Sequence, residues 1–200
     1  MSDDLSGVSR RDILKGAGAA AFLGAVGTRA AQAQEPASKM RRIGPGPVAI
    51  ELTVNGKKRR LNLEPRVTLL DALRDRIELT GTKRVCDRGA CGSCTVWVDG
   101  KTANSCMMLA VDAHGAEITT IEGLAQGGKL HPVQDAFVRH DALQCGFCTP
   151  GMVMSCAALH EHNPKAGEAE VREAISGNLC RCGTYTHIFN AMQDVAGGGR

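Results

Sequence analysis

Seven of the nine cysteines in this 200-residue chain stand in three short runs, and their spacing limits what the chain can fold into more than any other feature. Cys86, Cys91 and Cys94 form the first run, with Cys106 further on, giving C-x4-C-x2-C-x11-C. Cys145 and Cys148 make a C-x2-C pair, Cys180 and Cys182 a C-x-C pair, and Cys156 stands apart. An odd count cannot be closed entirely as disulfides. Four thiols as crowded as the first set would make strained bridges, and C-x-C is too tight for the Cα separation and torsion a disulfide needs. Thiolates gathered around metal are the better use of both sets.

The two sets differ in what they suit. A binuclear iron–sulfur cluster takes four thiolates, and C-x4-C-x2-C is the plant-type ferredoxin spacing. Gly89 and Gly92 let the loop curl closely around such a cluster. Backbone N–H groups exposed by the curl can donate to sulfur and raise the reduction potential. Zinc also accepts four cysteines but favours paired C-x2-C knuckles, so it stands as the weaker alternative. The C-x-C pair departs from those knuckles too. Cys145, Cys148, Cys180 and Cys182 are therefore expected to hold a second binuclear cluster. None of the six histidines lies within a cysteine motif, which argues against a Rieske centre. Cys156, on an apolar helical face, reads as a packing residue.

The segments around the first set read as a small sheet with one helix. Val48, Ile50, Leu52 and Val54 alternate with Ala49, Glu51 and Thr53, the period of a half-buried strand. Asn55-Gly56 is a hairpin turn, and Leu61 and Leu63 continue on a second strand. Thr68 suits an N-cap with Asp71 as its acidic partner, ahead of Leu69, Leu70, Leu73 and Ile77 on one helical face. Thr95 to Val98 is expected as a strand closed by Asp99-Gly100, and Ile118 and Ile121 as the last strand, the unit ending near Leu124.

From His131 the apolar period becomes helical. Pro132 suits a first turn, with Val133, Ala136, Phe137 and Leu143 sharing a face. Thr149-Pro150 are expected to open a second helix that runs to Asn163. A third spans Glu168 to Ser176 with Gly177 as its stop, and Tyr185, Ile188, Phe189, Met192 and Val195 stripe a fourth. Each cysteine pair of this half precedes a helix N-terminus, whose positive end favours thiolates.

The N-terminus reads as an address. Arg10-Arg11 precede a short Gly/Ala-rich apolar stretch from Gly16 to about Gly27, and Ala31-Gln32-Ala33 supplies the small residues of a cleavage site. This order resembles a twin-arginine (Tat) export signal. It predicts a signal peptide over 1–33 and handling by the Tat export machinery. The mature protein would start at Gln34, in the periplasm. Proteins on that route travel folded and already loaded with cofactor. The Pro/Gly-punctuated residues 34–47 read as a linker or arm. No apolar run is long enough for a membrane span. A net charge of +3 and 3% aromatic residues give no footing for nucleic acid.

Cys86 to Cys106, the Gln144-Cys145-Gly146-Phe147-Cys148-Thr149-Pro150-Gly151 block and the Gly177-Asn178-Leu179-Cys180-Arg181-Cys182-Gly183 block together resemble one family. It is the iron–sulfur small subunit of molybdenum hydroxylases, the xanthine dehydrogenase and aldehyde oxidase group, and the periplasmic aldehyde oxidoreductases are the nearest branch. The likeness covers about residues 47 to 197. It implies an α+β chain: a β-grasp plant-type [2Fe–2S] ferredoxin domain over 48–124, then an all-α four-helix-bundle [2Fe–2S] domain over 125–200. It implies that Cys86, Cys91, Cys94 and Cys106 hold one cluster and Cys145, Cys148, Cys180 and Cys182 the other. A large partner subunit would bind molybdopterin, as the cytosine dinucleotide, and a middle subunit FAD. Electrons from oxidation of an aldehyde to a carboxylic acid would pass through the two clusters to FAD or another acceptor. By position, Gln144 and Cys182 would lie near the pterin. Ser93 and Gly183-Thr184 depart from common relatives without removing a ligand.

No nucleophile–base pair or carboxylate dyad stands out, so catalytic residues are expected on a partner. Family members that oxidise isoquinoline, nicotinate, xanthine or carbon monoxide have similar small subunits, which keeps those substrates as alternatives. A free-standing ferredoxin-like carrier and a zinc-stapled interaction module are the other two.

Overall fold

Asn55 (φ 50°) and Gly56 (φ 73°) reverse the chain between β1 (Val48–Val54) and β2 (Lys57–Leu63), with both residues at the positive φ a two-residue hairpin requires. The computed structural model describes Arg11 and residues 43–198, of which 43 onward belong to one compact unit. The expected signal peptide and most of the linker lie outside the described residues.

β1 pairs antiparallel with β2 from Val48–Leu63 to Val54–Lys57, and this register turns Ile50, Leu52 and Val54 inward. β3 (Thr95–Val98), β4 (Lys101–Asn104) and β5 (Glu117–Thr119) complete a mixed sheet in the order β2-β1-β5-β3-β4. β1 and β5 run parallel at its centre. The helix between β2 and β3 packs Leu69, Leu70 and Leu73 with no exposed surface, and full burial of each is worth about 1.5–3 kcal/mol. Thr68 caps it by accepting from the Asp71 amide at 3.1 Å, as its sequence predicts. After one α-turn, α1 (Leu69–Asp71), it widens into a π-turn over Ala72–Arg76.

Two expectations shift here. The last strand ends at Thr119, because Ile121 starts a helical turn, α2 (Ile121–Leu124). Ile121 packs against the helical core and Leu124 belongs to it, so by packing the first half ends before Leu124. β4 was not expected as a strand: Lys-Thr-Ala-Asn is short and polar, and pairing with β3 alone defines it.

The second half is helical: α3 (Pro132–Arg139), α4 (Thr149–His162), α5 (Glu168–Ala174) and α6 (Tyr185–Gln193). α3 touches α4 and α6, and α5 touches α4 and α6, so each has two neighbours among these four helices. His131 and Gln134 close a capping box on α3. α4 is the central element. Gly151 to Ala158 are all buried, including Cys156 at 0% exposure, because α4 also packs on β3 and β4. The Trp97 indole N–H on β3 donates to the Met154 carbonyl at 2.9 Å. α5 stops at Ala174 rather than Ser176, and Leu143 lies beyond α3, exposed, with Ala142 buried in its place. Among the described residues no helix is long and apolar enough to cross a membrane.

Candidate metal centres

The loop from Cys86 to Cys94 curls between the helix and β3. Asp87 (φ 54°), Gly89 (φ 70°) and Gly92 (φ 66°) hold left-handed backbone that turns its amides inward. The Gly89 N–H donates to Cys106 Sγ and the Ala90 N–H to Cys86 Sγ, each at 3.3 Å. A side chain at Gly89 would place its Cβ 2.9 Å from Met107 Cγ and would have to adopt a φ of +70°, which L side chains rarely take. Cys94 Sγ lies 3.4 Å from Cys106 Sγ, and the Cys86 and Cys91 thiols are neighbours. Leu70 packs against Cys94 and Cys106 and seals their inner side.

Environment divides these thiols. The Arg88 amide, assisted by the Cys91 thiol and the Ala90 and Cys91 amides, lowers the Cys86 pKa to about 7 against some desolvation. Burial pushes Cys94 up to about 12, although the Cys106 amide opposes it. One sulfur at the rim thus ionises readily, while the inner one gives up its proton only to a metal.

The second set gathers at the ends of two helices. Cys148 occupies the N-cap position of α4, one residue before the expected Thr149. Burial raises its pKa to about 12, with the neighbouring Cys180 and Cys145 thiols adding to the effect. At Cys180 burial also pushes upward, but hydrogen bonds from Thr184, Cys148 and the Cys182 amide prevail and lower it to about 7. Cys148 and Cys180 are neighbours that shift each other in opposite directions, Cys148 up and Cys180 down. Cys145 is exposed, Cys182 half-buried and Gln144 exposed, so this set opens to the surface on the side of Gln144. Phe147 and Leu179 add exposed apolar surface to the same loops.

Among the described residues no three or more His, Cys, Asp or Glu side chains close around one point as a single metal ion requires. The thiols are instead arranged as neighbouring pairs, Cys86 with Cys91, Cys94 with Cys106, and Cys148 with Cys180. Sulfur-only donors, paired two by two and met by inward amides, fit a binuclear iron–sulfur cluster. Cys156 takes no part: burial alone raises it to about 12.

The two loops are joined, which spacing gave no means of seeing. The Leu179 N–H donates to the Cys91 carbonyl at 3.0 Å. Gly92 O accepts from Asn178 Nδ2 at 3.0 Å, from the Thr95 N–H at 3.1 Å and from the Thr95 hydroxyl at 2.6 Å. Asn178 Oδ1 in turn accepts from the Ser155 hydroxyl at 2.9 Å. Gly151 on α4 makes the approach possible, since a Cβ there would fall 2.2 Å from Gly92 O. The Tyr185 hydroxyl accepts from the Cys180 N–H at 2.8 Å and donates to the Asn178 carbonyl at 3.2 Å, which braces the C-x-C turn. Asn178, Gly151 and Tyr185 stand inside or beside the cysteine blocks, so proximity in sequence was their only signal.

Comparison with known proteins agrees with this arrangement. The family described as "2Fe-2S iron-sulfur cluster binding domain" matches residues 52–119, and that described as "[2Fe-2S] binding domain" matches residues 120–193. The chain is 43% identical to the aldehyde oxidoreductase iron-sulfur-binding subunit PaoA of Escherichia coli O157:H7, over 97% of this chain and 90% of that protein. It is 48% identical to the nicotine 6-hydroxylase small subunit of Paenarthrobacter nicotinovorans, over 75% of this chain and 90% of that one. Among solved structures, quinoline 2-oxidoreductase from Pseudomonas putida 86 has a chain that superposes with a TM-score of 0.73 at 51% identity, covering 76% of this chain and 95% of that chain. With a ferredoxin-like sheet and a helical half that each match a [2Fe–2S] family, the chain belongs to the iron–sulfur subunits of the molybdenum hydroxylases.

Proposed function

We propose that this chain is the electron-transfer subunit of a periplasmic molybdenum hydroxylase that oxidises aldehydes to carboxylic acids. Cys86, Cys91, Cys94 and Cys106 would hold one [2Fe–2S] cluster, and Cys145, Cys148, Cys180 and Cys182 the other. When bound, such clusters supply one-electron transfer between a two-electron site and an acceptor. The observation that carries the reading is the junction of the two thiol-bearing loops. The hydrogen bond from the Leu179 N–H to the Cys91 carbonyl joins a residue of the first set to the neighbour of Cys180 in the second. Gly151 and Asn178 keep that junction close, while Leu70 shields the inner thiols.

A large subunit carrying molybdopterin cytosine dinucleotide fits the open side of the second set, near Gln144 and Cys182. A FAD-binding subunit fits as the next acceptor. The four longer helices, each with two neighbours among the four, support a four-helix bundle. The aldehyde reading is supported by the extent of likeness: the match to the E. coli subunit runs through the N-terminal region, whereas that to the nicotine 6-hydroxylase subunit does not reach as far. An N-heterocyclic substrate is the second reading, favoured by the higher identity to the nicotine and quinoline proteins.

Iron analysis and EPR of the purified protein test the cluster reading. About four irons per chain and two distinguishable signals on reduction are expected; stoichiometric zinc in a colourless protein would defeat it. Turnover of the co-purified complex on an aromatic aldehyde, set against an N-heterocycle, decides the substrate class.

The export reading has its own test. Arg10→Lys with Arg11→Lys should leave folded, cluster-loaded protein in the cytoplasmic fraction, because the arginine pair is the receptor-read part of the signal. Normal appearance of the double variant in the periplasm would refute it.

A further inference from the structure

A threonine at the first position of a helix ordinarily turns its hydroxyl to the exposed amides of the first turn. Thr184 stands at the N-cap of α6, and its hydroxyl makes no such bond. Its Oγ1 lies instead 3.2 Å from Cys180 Sγ. Thr184 is 2% exposed, so water does not compete for the contact. Between free groups either atom could donate. A cysteine bound to iron has lost its proton, which leaves the hydroxyl as the only possible donor.

We propose that Thr184 is a redox-tuning residue, its hydroxyl donating to the Cys180 thiolate and raising the reduction potential of the second cluster. This rests on the reading of Cys180 as a ligand. Reduction adds negative charge that spreads onto the ligand sulfurs, and a hydrogen bond to sulfur stabilises the charged form more than the oxidised one. The neighbourhood favours the hydroxyl in this role. The Tyr185 hydroxyl takes up the Cys180 N–H, so that amide is not available to a sulfur. The other groups facing Cys180 are the amides of Thr184 and Cys182, which no side-chain substitution removes, and the Cys148 thiol, which has no proton to donate once it is itself a ligand. Thr184 makes this contact in place of a helix cap, an arrangement that helix stability alone does not explain.

Potentiometric titration of the cluster-loaded protein, followed by EPR, is the test. Thr184→Val keeps the shape and removes the hydroxyl. At a fixed potential it should lower the reduced-to-oxidised ratio of the second cluster about tenfold, a shift of about 59 mV for a one-electron couple. Thr184→Ser should restore the native midpoint, and the first cluster should not move in either variant. An unchanged second midpoint in Thr184→Val would overturn the proposal. Should that variant fail to assemble the second cluster, ENDOR of the native protein before and after transfer to D2O decides. An exchangeable hydroxyl proton coupled to that cluster in native protein and in Thr184→Ser, but not in Thr184→Ala, upholds the assignment; its absence from native protein ends it. Native protein with fewer than four irons would instead fail the ligand reading, so the two failures are distinct.

Discussion

Cys94→Ser should leave about two irons per chain in place of about four, erase one of the two EPR signals and reduce turnover of the assembled enzyme to background. Cys94 is 3% exposed, lies 3.4 Å from Cys106 Sγ and has Leu70 packed against it. A serine oxygen there is a harder and shorter donor in a space shaped for sulfur, and no water reaches it to complete the coordination. Because each cluster is a one-electron relay, losing one leaves electrons no exit, and the partner's chemistry stops after its first reduction. Cys156→Ala is the matched control. Cys156 is equally buried and stands on α4, yet faces the helical core and no other thiol. Both signals and about four irons should remain, with a stability cost of about 1 kcal/mol for the lost sulfur. Full turnover in Cys94→Ser, or loss of a signal in Cys156→Ala, would show that the ligands are assigned wrongly.

Gly151→Ala should be strongly destabilising for the addition of a single carbon. Its Cβ would lie 2.2 Å from Gly92 O and 2.9 Å from Ser93 Cα, both backbone atoms that cannot swing aside. Gly92 O is also the acceptor for Asn178 and twice for Thr95. Overpacking costs about 1–3 kcal/mol, and the hydrogen bonds displaced with that oxygen are worth about 1 kcal/mol each. The total is about 4–6 kcal/mol, a large share of the 5–15 kcal/mol that typically holds a domain. A melting temperature lower by roughly 8–24 °C follows for a chain of this size. Magnetic coupling between the reduced clusters should weaken as the loops separate. A melting temperature within 2 °C of native would mean that the approach at Gly151 is looser than its geometry states.

Local chemistry was legible in the sequence wherever one residue type decides the outcome. Asn55-Gly56 named the hairpin, Thr68 with Asp71 named the cap, and the alternation from Val48 to Val54 named the buried face of β1. The cysteine runs fall within the two [2Fe–2S] family matches, the first set in residues 52–119 and the second in 120–193. Features set by distant partners were hidden. β4 exists because β3 pairs with it, and Ile121 turns into a helix because the helical core, rather than the sheet, takes its side chain. Leu143 fits the period of α3, but the helix stops before reaching it, at Arg139. The sequence placed Cys156 on one apolar face of α4, but the helix is buried against helices on one side and against β3 and β4 on the other. At the candidate site the same division holds. The spacing picked out the eight thiols as candidates, whereas Asn178 and Gly151 act on Gly92, which only folding brings close, and the Thr184 hydroxyl reaches back four residues to Cys180.

The junction around Gly92 also bears on how far the chain can be treated as interchangeable parts. Two family matches meeting between residues 119 and 120 suggest two cassettes that could be cut apart and recombined. A ferredoxin half severed there would strip Gly92 O of its Asn178 donor, the Trp97 indole of its acceptor and β3 and β4 of the helix that covers them. Grafting a foreign first half would set an unmatched loop against Gly151, where not one added carbon fits. For protein engineering the unit of exchange is therefore the pair of halves together, and chimeras should be spliced outside residues 48–195, not at the seam between them.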